Sequence, residues 1–156
     1  MDRTKIEKSK EQNNDTEIVY NENPIIIYHN NESFREAVKG EYCPNMMKYW
    51  DVSNVTDMSF AFCGHSFNGE YDDITGWDVS NVTTMEYMFK GCIYFNQDIS
   101  GWKTEKLENL KGTFSRCKSF NRKIGEWDVS NVTNMECTFN CALGFNQPLR
   151  NWKVDN

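Results

Sequence analysis

Tryptophan recurs in this chain at Trp50, Trp77, Trp102, Trp127 and Trp152, and the string Trp-Asp-Val-Ser-Asn-Val-Thr follows three of them, Trp50, Trp77 and Trp127, letter for letter. A repeat of this kind limits the fold more than any other feature. A unit of about 25 residues cannot bury an apolar face alone and must stack on its neighbours. Counted from each Trp, a small apolar residue lies five places on (Val55, Val82, Leu107, Val132). Met or Leu lies eight places on (Met58, Met85, Leu110, Met135) and Phe twelve places on (Phe62, Phe89, Phe114, Phe139). Spacings of three and four set these side chains on one face of a short helix. Ser53 or Asn54, Ser80 or Asn81, and Ser130 or Asn131 stand where that helix needs an N-cap.

Past the helix the units share Phe-Asn (Phe67-Asn68, Phe95-Asn96, Phe120-Asn121, Phe145-Asn146), then Ile74, Ile99, Ile124 or Leu149, then the next Trp. The stretch from Asn96 to Trp102 alternates polar and apolar residues as a half-buried strand does. The expected fold class is therefore an α/β repeat: a leucine-rich-repeat-like solenoid of four coils, each a short strand plus a short helix, behind an N-terminal α/β cap. The coils are 50–76, 77–101, 102–126 and 127–151, within a repeat domain 50–156 that ends in a short C-terminal remnant. Residues 1–23 are charged and polar and read as a disordered tail. In the cap, 24–49, Pro24 precedes a strand at Ile25–Tyr28, and Asn31–Lys39 reads as an amphipathic helix stopped by Gly40.

The run Trp77-Asp78-Val79-Ser80-Asn81-Val82-Thr83-Thr84-Met85-Glu86-Tyr87-Met88-Phe89, followed by Cys92, Phe95-Asn96-Gln97-Asp98-Ile99 and Trp102, closely resembles the BspA-like surface-protein repeats, an irregular leucine-rich-repeat family. The resemblance covers about residues 50–154. It implies a solenoid of the kind found in bacterial surface proteins and lipoproteins, in parasitic protists and in large DNA viruses of amoebae, with roles in adhesion or protein binding. It brings no catalytic residues with it.

With 156 residues and a net charge of −6, the chain holds one ordinary domain and lacks the clustered Lys and Arg of a nucleic-acid binder. No run of apolar residues reaches membrane-spanning length, and the charged N-terminus lacks the apolar core of a signal peptide. The expected location is intracellular or virus-associated, whereas the resemblance points to surfaces. Cys43, Cys63, Cys92, Cys117, Cys137 and Cys141 read as thiols, most of them buried small hydrophobes. No paired Cys-x-x-Cys spacing joins His29 or His65, so no metal or cofactor is expected. No nucleophile or carboxylate pair stands apart from the repeat, so the chain is not expected to be an enzyme.

Two surfaces remain as candidates. Asp51, Asp78, Lys103 and Asp128 fall one place after successive Trp residues. They read either as an acidic stripe for a basic partner or a cation, or as Asp side chains bonded to turn amides; the second reading is favoured by the chemistry of short Asp side chains. The third unit replaces Asp-Val-Ser-Asn-Val-Thr with Lys103-Thr104-Glu105-Lys106-Leu107-Glu108, which makes Lys103, Glu105, Lys106 and Glu108 the expected partner-specific residues. Asn68, Asn96, Asn121 and Asn146 suggest an asparagine ladder. Asn54, Asn81, Asn131 and Asn31 match a glycosylation pattern that capping explains for three of them. The expected function is a scaffold that binds a protein. The alternative is an assembly or coat component that self-associates through an uncapped last coil marked by Pro148 and Trp152, with Pro148 removing one edge donor.

Overall fold

The computed structural model describes residues 5–7, 16–20, 25–39, 47–67 and 72–152. Pro24, Gly40, Cys43, Asn68, part of the first-unit insertion (68–71) and the remnant after Trp152 lie outside the described residues. Strands β1 (Lys5–Glu7), β2 (Thr16–Tyr20), β3 (Ile25–Tyr28) and β4 (Trp50–Asp51) form one sheet in that order. The first two pairings are antiparallel, and β3 pairs β4 in parallel with Ile26 opposite Trp50. Two of these strands fall in the stretch expected to be a disordered tail. The β2 sequence, Thr-Glu-Ile-Val-Tyr, consists mostly of β-branched and aromatic types that favour a pleated chain.

Helix α1 (Asn31–Lys39) begins at an Asn30 cap, whose Oδ1 accepts the N–H groups of Glu32 and Ser33 at 3.0 and 2.9 Å. It buries Phe34 against the rings of Tyr28, Trp50 and Trp77, and burial of one such ring contributes about 1.5–3 kcal/mol. A short 3-10 helix, Met47–Tyr49, leads into β4.

The expected solenoid of four strand-and-helix coils is not what the chain forms. Among the described residues α1 is the single α-helix, β3 and β4 are the one parallel pair of strands, and from Val52 to Trp152 the units hold turns joined by single bridges. The backbone hydrogen bonds show why. N–H groups eight, ten, twelve and fourteen places after Trp50 (Met58, Phe60, Phe62, Gly64) donate to carbonyls of the next unit (Thr84, Glu86, Met88, Lys90) at 2.8–3.0 Å. The same four donors recur from Met85, Tyr87, Phe89 and Gly91, and again from Leu110, Gly112, Phe114 and Arg116. Residues between them close four-residue turns, as Ala61 N–H to Met58 O and Cys63 N–H to Phe60 O do. No N–H in this ladder is left for the i to i−4 bonds of an α-helix.

Backbone dihedrals agree. The tenth residue after Trp has positive φ in all four units (Phe60, Tyr87, Gly112, Cys137), as does the fourteenth (Gly64, Gly91, Arg116, Cys141). A left-handed third residue is the arrangement of type II turns and cannot continue a right-handed helix. The apolar positions picked out by spacing are nevertheless the core. Phe62, Phe89, Phe114 and Phe139 stack with ring centroids 5.9, 5.7 and 5.6 Å apart, and Trp50 stacks on Trp77 and Trp102 on Trp127 at 6.0 and 6.1 Å.

Candidate interaction surface

Helix α1 fixes the first unit by imitating a preceding one. Within the stack the carbonyl of Thr56 accepts the N–H groups of Thr83 and Thr84, and that of Thr83 accepts those of Glu108 and Asn109. For Thr56 and Asp57 the acceptor is the side-chain oxygen of Asn31, at 2.8 and 3.0 Å. Arg35 pairs with Asp57 beside it. Burial pushes the Asp57 carboxyl up, but hydrogen bonds from Ser59 and the Arg35 guanidinium outweigh it and hold the group below the usual carboxylate value.

The carboxylates that follow each Trp are engaged with backbone. Asp51 accepts the Ser53 N–H, Asp78 that of Ser80 and Asp128 that of Ser130, at 3.0, 3.0 and 2.9 Å. The Ser80 bonds hold Asp78 below its ordinary value, assisted by the charge of Lys103 in the next unit. The positions read as helix caps are used between units instead: Asn81 Nδ2 donates to Ser53 O at 2.8 Å and Asn131 Nδ2 to Glu105 O at 2.6 Å. Asn96 Oδ1 accepts the Asn121 N–H and Asn121 Oδ1 that of Asn146, at 3.0 and 2.9 Å, so three of the four expected asparagines form a ladder.

The third-unit residues come together. Glu105, Lys106 and Glu108 line an open depression of about 460 Å³ with Thr83, Asn131 and Thr133. Lys106 stands where the other units have Asn54, Asn81 and Asn131, and it donates to Asn81 Oδ1 at 2.6 Å, so its ammonium is partly committed to the fold. Lys103, Glu105 and Glu108 are exposed. Thr104, not singled out in the sequence, is 3 % exposed in a position that holds Val in the other units, and its hydroxyl donates to Asp128 O. A valine-to-threonine change inside a repeat is the signal that marks it, since a buried hydroxyl needs an acceptor.

Pro148 and Trp152 sit at the far side of the fourth unit. The Trp152 indole donates to Ile124 O at 2.9 Å, and the Pro148 carbonyl lies 2.6 Å from where a Cβ on Gly125 would stand. Cys92 and Cys117 are fully buried, with thiols donating to Phe62 O and Phe89 O at 2.8 and 2.9 Å. Burial pushes Cys92 up to about 12 and Cys117 higher. Cys63, Cys137 and Cys141 are exposed thiols.

Among the described residues no group of three or more His, Cys, Asp or Glu is placed to hold a metal ion, and no helix is long and apolar enough to cross a membrane. No curated protein and no solved structure matches the chain. Residues 29–152, which contain α1 and every repeat unit described above, match the model of the family described as "Mycoplasma protein of unknown function, DUF285", and the chain belongs to that family.

Proposed function

We propose that this protein is a non-catalytic module, without a cofactor, that binds another protein through the outward face of its stacked units, as BspA-like adhesion and interaction proteins do. The observation that carries this reading is where the third unit departs from the others. Its inward apolar positions, Leu107, Leu110 and Phe114, stay fully buried, while the changed residues Lys103, Glu105 and Glu108 point outward beside a shallow depression. Charges there cost little to the fold and are available to a partner. Repetition of turn and core positions builds the scaffold, and variation in one unit supplies specificity.

The test is a variant with Lys103→Asp, Thr104→Val, Glu105→Ser, Lys106→Asn and Glu108→Thr, which gives the third unit the residues of its neighbours after Trp102, the buried Leu107 excepted. Immobilised wild-type protein should capture from its native source a partner that the variant, equally folded, captures at least about tenfold less well, a loss of about 1.4 kcal/mol. Identical capture by the two would remove the third unit from the reading.

A further inference from the structure

In the turn segments the backbone ladder runs one way: N–H groups eight, ten, twelve and fourteen places after each Trp donate forward to the next unit, whereas the bonds that run back, from Thr83 to Thr56, from Glu108 to Thr83 and from Thr133 to Glu108, lie just before that ladder. The two outer edges of the stack are therefore chemically different. On the fourth unit the N–H groups of Met135, Cys137, Phe139 and Cys141, equivalent to the twelve donors used within the stack, have no acceptor among the described residues. On the first unit the carbonyls of Ser59, Ala61 and Cys63, equivalent to acceptors in every later unit, receive no hydrogen bond from described residues. Helix α1 takes the adjoining Thr56–Asp57 end of that edge through Asn31 and Arg35. Side chains follow the same pattern. Phe60 is 53 % exposed and Cys63 exposed on one edge, and Cys137 and Cys141 are exposed on the other. Met135, Phe139, Phe145 and Trp152 are only partly buried, whereas Met58, Phe62 and Phe95 in the same columns are at most 1 % exposed.

We propose that the fourth-unit edge docks the Ser59–Cys63 edge of a second copy of this chain, so that copies join head to tail. Cys137, Phe139 and Cys141 then donate to Ser59, Ala61 and Cys63 of the neighbouring copy, continuing an interface that the molecule already forms three times. Two fourth-unit edges cannot make this ladder with each other, because both present donors. The contact is heterologous and leaves one edge of each kind free. It is independent of the third-unit surface, and each reading can fail without the other.

The experiment is light scattering of the whole chain over a hundredfold concentration range, with reductant present, for wild type and two edge variants. Phe60→Glu blocks the first-unit edge. Cys137→Glu blocks the fourth-unit edge by setting a carboxylate opposite Phe60 of the neighbouring copy, in the column where Phe60 packs on Tyr87 at 5.1 Å. Wild type should grow in mass with concentration, and each variant alone should remain a monomer. An equimolar mixture should form one-to-one dimers and nothing larger, since only one open edge of each kind remains. A monomeric wild type, or a Phe60→Glu variant that still dimerises alone, overturns the proposal. Matching melting curves for the three proteins establish that the variants are folded.

Discussion

The ring of Tyr87 occupies the space in which a side chain on residue 112 would begin: a Cβ built on Gly112 would lie 2.2 Å from Tyr87 Cε1. Gly112 also has φ +59°, in the column where Phe60, Tyr87 and Cys137 tolerate the left-handed region. Two separate effects therefore select glycine here. Gly112→Ala should destabilise the protein by about 1–3 kcal/mol, combining the left-handed penalty with overpacking. In a Tyr87→Ala background the same substitution should cost only the backbone part, about 1 kcal/mol. Urea denaturation of the four proteins of this cycle measures the difference. Equal costs in both backgrounds would mean that the ring is not what the new methyl meets.

Removal of the Asn31 side chain should loosen the first unit specifically. Asn31→Ala leaves the N–H groups of Thr56 and Asp57 without their acceptor, at an expected cost of about 1–2 kcal/mol. Amide exchange at Thr56 and Asp57 should quicken by more than exchange at Tyr87 and Phe89, deep in the ladder, which quickens only as far as global unfolding does. Uniform acceleration across all units would contradict a capping role.

Acid should weaken the fold through its turn carboxylates. Asp57, Asp78 and Asp98 are all held below their ordinary value in the folded chain, the last two chiefly by bonds from Ser80 and Ser100. A lowered folded-state value means that the unfolded chain binds these protons first, so the stabilisation is complete above about pH 4 and is lost as pH falls through the folded values. Melting temperature should be flat in this respect above that point and fall below it. An Asp78→Asn variant should show a shallower acid slope than wild type, and an unchanged slope would remove Asp78 from the account.

Thiol reactivity should divide the cysteines. Cys63, Cys137 and Cys141 are exposed and should alkylate readily at mildly alkaline pH. Cys92, with its thiol buried and pushed up to about 12, and Cys117 should label only on unfolding. Peptide mapping after a timed iodoacetamide pulse reads this directly. Native-state labelling of Cys92 at the rate of Cys63 would show that the column is open.

Much of this architecture is legible in the sequence. The columns at Val55, Met58 and Phe62 and their repeats face the core, and all of them but Met135 and Phe139 are buried. Strand β3 and helix α1 fall where the apolar run and the Asn31–Lys39 pattern put them. The helix expected in each unit fails for a physical reason: spacings of three and four also suit consecutive turns whose apolar residues face one side. The contrary signal is Gly112, inside the segment read as helix, with Gly64 and Gly91 two places past the Phe that ends it in their units; all three have positive φ. The cap reading of Ser53 fails because no helix follows it: the Val55 N–H closes a turn on Val52 O instead. The expected strand before each Trp fails because that stretch closes a turn, the Trp102 N–H bonding Ile99 O and the Trp127 N–H bonding Ile124 O; the single bridges between units, as Thr84 makes with Asp57 and Asn109, lie in the segment read as helix. In the candidate surface, Glu105 and Glu108, picked out because the third unit departs from the repeat, are exposed. The commitment of Lys106 to Asn81 depends on the unit behind it and has no signature within its own unit.

The claim on which the rest depends is that N–H groups in the turn segments reach forward by about one repeat rather than back by one helical turn. Through-hydrogen-bond scalar couplings in isotope-labelled protein report the acceptor of each donor. Couplings from Tyr87 N–H to Lys111 and from Phe89 N–H to Thr113, matching their 2.8 and 3.0 Å contacts, are the predicted result. A coupling from Phe89 N–H to Met85, four residues back, would contradict it and restore a helix to the unit.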